Sequence, residues 1–299
     1  MSLISALMST QVDLLKKYNL SVRGHVGQHL LIDPNIQRKI VDLLELKPTD
    51  RVLEIGPGLG ALTNHLLGRC EKLIAVEMDE TFVEILKKEF IQKQGTVPPQ
   101  KKGDSPFFLI HADILKTDLA SILGKSVKKP WKAISNLPYY ITAPILFHLL
   151  ESRAYFSKLV LMMQKEVADR LLASPGSKDY GRLTLAMRYA GTIRHAFDVP
   201  PSCFAPRPAV SSSVVVLDLY PPKQLLKKKE EENLFYLIKI AFSQRRKMFL
   251  SLLAADPELG KSRPELEAVF KKQGISLQTR GEQLLLKDYM GLVQALCPS

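Results

Sequence analysis

In Arg51-Val52-Leu53-Glu54-Ile55-Gly56-Pro57-Gly58-Leu59-Gly60, an apolar run of strand type breaks into three glycines at alternate positions. The residues that follow, Ala61-Leu62-Thr63-Asn64-His65-Leu66-Leu67, carry apolar side chains at helical spacing. The implied unit is strand, tight turn, helix. Glycines at such a turn allow backbone angles closed to other residues and let a ligand approach the main chain, as in dinucleotide-binding loops. The spacing, however, is G-x-G-x-G and not the dinucleotide G-x-G-x-x-G. A second strand, Lys72-Leu73-Ile74-Ala75-Val76, ends in Glu77, where a carboxylate can accept hydrogen bonds from ribose hydroxyls. A third, Phe107-Phe108-Leu109-Ile110-His111-Ala112, delivers Asp113, a candidate acceptor for the amino group of an adenine.

Outward from this loop, strand-like runs at 51–55, 72–77, 107–112, 132–135 and 158–163 alternate with helical stretches. That rhythm predicts an α/β fold, a parallel sheet wrapped by helices. Arg194 to Val199 and Ser213 to Leu219, joined by the Pro-rich turn Pro200-Pro201-Ser202-Cys203-Phe204, read as an antiparallel hairpin at the sheet edge. Pro221-Pro222 marks the expected domain boundary, giving residues 1–222 and 223–299. The second domain is expected to be small and helical, with segments around 232–254, 264–273 and 284–296. Gln94 to Ser105 and Ser174 to Lys178 read as mobile loops.

A second motif, Asn136-Leu137-Pro138-Tyr139-Tyr140, follows the strand Lys132 to Ser135 and suits an exocyclic amine. An adenine amino nitrogen is a poor nucleophile because its lone pair is delocalised into the ring, so a site must make that nitrogen more amine-like. Two hydrogen-bond acceptors do this. The Asn136 amide oxygen and a backbone carbonyl near Leu137-Pro138 can each take one amino hydrogen, while the proline stiffens the turn that aims them. Tyr139 offers an aromatic face on which an extruded base can stack.

The glycine loop with Glu77 resembles that of class I S-adenosylmethionine methyltransferases, which implies a Rossmann-like sheet. With Asn136 to Tyr140 in place, the chain resembles more narrowly the small-subunit ribosomal RNA adenine dimethyltransferases of the KsgA type. Gly27-Gln28-His29-Leu30-Leu31-Ile32-Asp33 is similar to that family's G-Q-N-F-L-x-D segment, which lies against the methionine part of the cofactor. Further matches run through Gln164 to Leu171, Tyr180-Gly181-Arg182-Leu183, Phe204-x-Pro206-x-Pro208-x-Val210-x-Ser212 and Gln244-Arg245-Arg246-Lys247. The large-subunit rRNA dimethyltransferases share the fold and a similar Asn-x-Pro-Tyr motif but match Gln164 to Leu171 and Tyr180 to Leu183 less well. DNA adenine and protein glutamine methyltransferases usually carry Pro-Pro where this chain has Leu137-Pro138.

The resemblance implies dimethylation of N6 of two adjacent adenines near the 3′ end of small-subunit rRNA, with S-adenosylmethionine as cofactor and an immature ribosomal subunit as partner. It implies that Gln28, His29 and Leu31 lie at the methionine end, and that Gly56 and Gly58 form the floor of the cofactor loop. Glu77 would hold the ribose and Asp113 the cofactor's adenine, with Met78 and Ile114 also in the cofactor site. Asn136, Leu137, Pro138 and Tyr139 would form the target-base site, Asn136 also contacting the cofactor, with Phe204 closing over the base from the other side. The family's Asn-Phe is His29-Leu30 here; histidine can still donate a hydrogen bond, but it adds a titratable group. An assembly factor that kept the fold and lost activity is the reading from a different class. Glu77, Asp113 and Asn136 to Tyr139 are intact, and a pure binder does not need them.

Composition agrees. The 299 residues, 46% of them hydrophobic, suffice for a large core and a smaller second domain. A net charge of +12, spread over the first 200 residues and the remainder alike, suits a protein that meets polyanions. Arg245-Arg246-Lys247 is the candidate RNA contact, whereas Lys227-Lys228-Lys229 runs into Glu230-Glu231-Glu232 and reads as the opening of a helix or linker. Cys70, Cys203 and Cys297 are far apart without C-x-x-C, so neither disulfide framework nor zinc site is expected, and no H-E-x-x-H is present. No apolar run approaches the roughly 18 residues of a membrane span. A cytoplasmic monomer is expected.

Overall fold

The structure, a computed structural model, describes residues 10–20, 29–92, 107–124 and 129–297. A seven-stranded sheet organises the first part of the chain. Its strands are β2 (Arg51–Ile55), β3 (Lys72–Glu77), β4 (Phe107–His111), β5 (Trp131–Asn136), β6 (Phe156–Gln164), β7 (Gly191–Val199) and β9 (Ser212–Leu219), in the order β4-β3-β2-β5-β6-β9-β7. The pairs β2·β3, β3·β4, β2·β5 and β5·β6 are parallel, while β9 runs antiparallel to β6. β7 is the edge strand beside β9, so the expected late strand pair is adjacent as anticipated. A further small pairing was not foreseen. β1 (Leu30–Leu31) pairs antiparallel with β8 (Phe204–Ala205), setting Leu31 opposite Phe204.

The central strands β2, β5 and β6 are apolar because both their faces are covered. Val52, Leu53, Ile134 and Val160 are all fully buried, and the helices α2 (Pro34–Asp42) and α3 (Thr63–Leu66) pack residues such as Ile40, Val41 and Leu66 into the same core. Asp33 caps α2, its Oδ1 accepting from the main-chain N–H groups of Asn35 and Ile36. The sheet order reverses at β2. From there the chain builds toward β3 and β4 on one side, and later toward β5 and β6 on the other. In open parallel sheets such a reversal leaves a crevice beyond the carboxyl ends of the two central strands. Gly56 follows β2 and Asn136 ends β5, so the two motifs of the sequence meet there.

The chain divides into two compact units, Met1–Ala168 with Arg194–Leu219, and Asp169–Ile193 with Tyr220–Ser299. The helical unit therefore takes more than the expected 223–299. Its additional segment carries α8 (Arg182–Ala190), and Tyr180, Leu185 and Tyr189 are core residues of that unit. The Tyr180 hydroxyl donates to the Leu284 carbonyl at 2.8 Å. The remaining helices of this unit are α9 (Lys228–Ala241), α10 (Phe249–Ala254), α11 (Arg263–Lys272) and α12 (Leu286–Leu296). The helical run expected around 232–254 is thus broken between Ala241 and Phe249. Lys227 to Glu232 does open a helix, with Glu230 accepting the Lys227 main-chain N–H.

Of the two expected mobile loops, 94–105 lies outside the described residues. Ser174 to Lys178 is tied down instead. Gly176 donates its N–H to the Glu282 carbonyl at 2.7 Å, and Arg245 donates to the carbonyls of Ser177 and Lys178.

Candidate active site and cofactor cleft

The crevice at the ends of β2 and β5 is an open cleft of about 490 Å³. His29, Gly56, Gly58, Glu77, Asn136, Leu137, Pro138 and Tyr139 line it, together with Leu30 and Phe82. A second, smaller hollow adjoins it, with Leu30, Gly56, Gly58 and Asn136 bordering both. Gln11, Leu31, Glu54 and Ala61 line this second space. Residues from four distant stretches of sequence therefore converge where the strand order reverses.

The glycine loop is built as the sequence required. Gly58 has φ +57°, a left-handed angle costly for other residues, and a Cβ there would lie 3.2 Å from Leu30 Cδ2. The third glycine has a packing reason: a Cβ on Gly60 would come within 2.4 Å of Phe90 Cζ. The Gly56 N–H donates to the Val76 carbonyl, and Ser135 Oγ donates to the Ile55 carbonyl at 2.6 Å, so the loop entrance is fixed to the strands on both sides.

Glu77 is buried at the end of β3 and organises the rim. Its Oε2 accepts from the Gly58 N–H at 3.0 Å, while its Oε1 accepts from the N–H groups of Met78 and Asp79 at 2.8 and 2.9 Å. Burial pushes its carboxyl above the usual range, and the three N–H donors oppose that rise. Glu77 thus joins loop and strand while bordering the cleft. Asp113, Ile114 and Met78 are not among the cleft-lining residues. Asp113 follows β4 and caps a single 3₁₀ turn, its Oδ1 accepting from Leu115 N–H at 3.0 Å. Ile114 is buried and Met78 exposed.

The base-site motif has one feature that decides its chemistry. Asn136 donates through Nδ2 to the His29 carbonyl at 3.1 Å, which leaves Oδ1 as the acceptor this side chain offers the cleft. The Pro138 carbonyl is already engaged by Thr142 Oγ1 at 3.0 Å and by the Ile141 N–H at 3.3 Å. Of the two carbonyls at this turn, that of Leu137 is therefore the one left to accept. Leu137 itself is held through its N–H to the Met162 carbonyl.

Tyr139 is partly buried, its hydroxyl 2.6 Å from Ser212 Oγ. Desolvation raises its phenol above the ordinary value, which keeps it neutral. His29 tilts against the Tyr139 ring with centroids 5.3 Å apart. The His29 Nδ1 lies 2.8 Å from the Pro206 carbonyl, an acceptor only, so Nδ1 carries the proton and donates. The residue that departs from the family pattern is thereby part of the site.

Phe204, the residue expected to close over a base, is 2% exposed, packs in the core with Leu31 and Val199, and is not among the residues that line the cleft. The β1·β8 pairing accounts for this by setting Phe204 opposite Leu31. Gln28 lies outside the described residues. Arg245, read from sequence as an RNA contact, is instead an internal tie of the helical unit, paired with Glu282 at 2.7 Å, while Arg246 and Lys247 are exposed.

Sequence reasoning passed over Glu54, Gln11, Phe82 and Ser212 as site residues. Glu54 is fully buried on β2; its Oε2 accepts from Thr63 Oγ1 at 2.7 Å and its Oε1 has no partner. Burial raises its carboxyl to about 8. A buried acceptor without a donor, a glycine floor and a carboxylate rim are what a ligand carrying an ammonium group and a ribose requires, so the residues present fit S-adenosylmethionine. The available signal for Glu54 was a lone acid inside an apolar strand.

Comparison with known proteins follows the same line. A family model described as ribosomal RNA adenine dimethylase matches residues 19–290. The chain is 39% identical over 298 residues to ribosomal RNA small subunit methyltransferase A of Lactococcus lactis subsp. lactis, covering 99% of this chain and 96% of the relative. It is 36% identical to the protein of that name from Lachnoclostridium phytofermentans, covering 95% of each. Among solved structures, a dimethyladenosine transferase from Plasmodium falciparum aligns with a TM-score of 0.71 and 26% identity, over 88% of this chain and 96% of that one. The 23S rRNA methyltransferase ErmE aligns at 0.65 with 24% identity, over 89% and 99%, and shares the fold.

Proposed function

The chain belongs to the ribosomal RNA adenine dimethylase family, and from that premise we propose how its cleft works. It is an S-adenosylmethionine-dependent rRNA adenine dimethyltransferase with a class I methyltransferase fold. Its reaction is dimethylation of N6 of two adjacent adenines near the 3′ end of small-subunit rRNA, as the full-length match to the small-subunit enzymes supports. Gly56, Gly58 and Glu77 hold the cofactor from the glycine loop to its ribose, with Met78, Asp113 and Ile114 beyond Glu77 for its adenine. Bound there, S-adenosylmethionine supplies an electrophilic methyl group on a positively charged sulfur.

The observation that carries the mechanism is the orientation of Asn136. With Nδ2 spent on the His29 carbonyl, Oδ1 accepts one N6 hydrogen of the target adenine. The Leu137 carbonyl accepts the other. Two acceptors draw the amino group toward tetrahedral geometry and stabilise positive charge as it develops on nitrogen. No side chain need remove a proton, because the alkylated nitrogen is acidic and water can take it. The base stacks on Tyr139, whose ring is held by Ser212 behind it and by His29 beside it. Such a base must be unstacked, so single-stranded or loop RNA is the substrate form. Arg246 and Lys247 of the helical unit are the proposed phosphate contacts. We read the working partner as an immature small subunit, met by a monomer in the cytoplasm. Among the described residues no helix is long and apolar enough to cross a membrane.

The test is mass spectrometry of nucleosides from unmethylated small ribosomal subunits incubated with the protein and S-adenosylmethionine. Dimethyladenosine formed by the intact protein and not by Asn136→Ala is the expected result. Equal product from both would remove Asn136 from the mechanism.

A further inference from the structure

Gln11 stands 48 residues from the carbonyl it touches and belongs to no motif, yet it is 6% exposed and borders the cofactor-side cavity. Its Nε2 donates to the Leu59 carbonyl at 2.7 Å, inside the glycine loop. A carbonyl can only accept, so the amide is oriented: the nitrogen faces the loop, and Oε1 is the other end. That Oε1 is buried without a hydrogen-bond partner. Glu54, which lines the same hollow, also has a buried Oε1 without a partner. Two buried oxygens from unrelated parts of the chain, neither with a hydrogen-bond partner, line one space beside the glycine loop. Buried acceptors are costly unless something donates to them.

The helix that carries Gln11, α1 (Gln11–Lys17), is fastened over the loop by other contacts. Leu14 packs in one apolar cluster with Leu30, Leu59, Phe82 and Ile85. Lys17 Nζ and the Tyr18 hydroxyl both donate to Glu89 Oε1, at 2.5 and 2.7 Å. Gln11 is therefore held in place by the helix and aimed by the Leu59 carbonyl. Neither attachment uses Oε1.

We propose that Gln11 is a cofactor-tail specificity residue, whose Oε1 accepts a hydrogen bond from the α-ammonium of the cofactor's amino-acid tail while Glu54 Oε1 accepts another. An ammonium offers three donors, and the paired acceptors match a group that carries them better than they match an apolar end. The N-terminal helix thereby reads whether the amino-acid tail is present. The proposal rests on the functional reading above, since it takes S-adenosylmethionine as the ligand.

The experiment is isothermal titration of the full chain with two probes, S-adenosylhomocysteine, which has the amino-acid tail, and 5′-methylthioadenosine, which lacks it. Gln11→Met keeps the side chain's length and removes the acceptor together with the Nε2 donor to the Leu59 carbonyl, so the tail-less probe serves as the control for the lost loop tie. The variant is expected to weaken S-adenosylhomocysteine about tenfold, the loss of one hydrogen bond to a charged group, and to leave 5′-methylthioadenosine within about twofold. Gln11→Lys keeps a donor for the Leu59 carbonyl while placing a cation beside Glu54, and is expected to lower S-adenosylhomocysteine affinity further with the tail-less probe again unaffected. Equal losses for both probes would mean that Gln11 only props up the loop, and would overturn the assignment. So would unchanged binding of both. Failure of the unmodified protein to bind S-adenosylhomocysteine would overturn the functional reading along with it, an outcome distinct from a wild-type protein that binds but whose variants do not discriminate.

Discussion

Replacing Glu54 by glutamine isolates a carboxyl that burial holds against its nature. Burial lifts this group from an ordinary 4.5 to about 8. Between those values the folded chain keeps a proton that the unfolded chain has lost, so folding stability is intact below about 4.5 and declines as pH rises toward 8. The slope for one such group is about 1.4 kcal/mol per pH unit, which amounts to roughly 2 kcal/mol between about pH 6 and 8. For a unit of this size, that corresponds to a Tm difference of about 4–8 °C. Glu54→Gln removes the titration, keeps the volume, and retains an oxygen to accept from Thr63 Oγ1. Other groups titrate in both proteins, Glu77 among them, so the quantity to follow is the Tm of the variant minus that of the wild type, without cofactor, at several pH values. The difference should widen in the variant's favour as pH rises. Added S-adenosylhomocysteine should reverse the trend, because an ammonium beside Glu54 stabilises its ionised form and the variant forgoes that gain. A difference that stays flat with pH would refute the buried-carboxyl argument. One that narrows would mean that Glu54 is ionised and paired.

Other perturbations separate the roles of the remaining residues. Asn136→Ala should lower transfer about 10²- to 10³-fold, the usual loss for one transition-state hydrogen-bonding group, while S-adenosylhomocysteine affinity by titration changes little. Gly58→Ala forces a side chain into φ +57° and against Leu30 Cδ2, and should weaken S-adenosylhomocysteine about tenfold by titration. Arg245→Ala should lower the Tm of the protein, since it removes the tie to Glu282, Ser177 and Lys178, and should leave the salt dependence of RNA binding as it was. Arg246→Ala with Lys247→Ala should do the opposite: an unchanged Tm, weaker RNA binding, and a log–log salt slope shallower by about 1.4, two contacts at roughly 0.7 each on single strands.

The parts of the fold legible in the sequence were those set by local chemistry. The strand-glycine-helix unit at Arg51 to Leu67 and the acid at Glu77 could be read because turn geometry and strand burial leave a periodic mark. Asn136 to Tyr139 could be read because an amide, a proline and an aromatic ring in series have few other uses. What stayed hidden depends on contacts between distant residues. Phe204 belongs to a two-residue pairing with Leu31, too short to leave a periodic signal, and that pairing puts its ring in the core. Arg245 looks like its neighbours Arg246 and Lys247 in sequence, and only the approach of Glu282 makes it a tie within the helical unit. Residues 169–193 join the helical unit through Tyr180, Leu185 and Tyr189, whose partners come after residue 220. Gln11 and Glu54 gave no motif because their significance is an unanswered hydrogen bond, a property of the folded cavity.

The side chains of the cleft share one construction. Asn136 is anchored by Nδ2 to the His29 carbonyl, His29 by Nδ1 to the Pro206 carbonyl, Tyr139 by its hydroxyl to Ser212, and Gln11 by Nε2 to the Leu59 carbonyl. In each, one polar end is consumed by the protein and the other end or the ring face is left to the cleft. An amide, an imidazole and a phenol suit this, since each has two distinct ends or faces; alanine in their places could neither anchor nor bind through a polar group. The consequence is mechanistic. Poorly nucleophilic adenine gains from acceptors only if they do not have to reorganise as charge develops, and side chains already fixed at one end meet that condition. It also couples the two halves of the site. His29 supplies the carbonyl that orients Asn136 and the ring that flanks Tyr139, so the segment leading into the cofactor cavity through Leu30 and Leu31 also sets the acceptor for the target base.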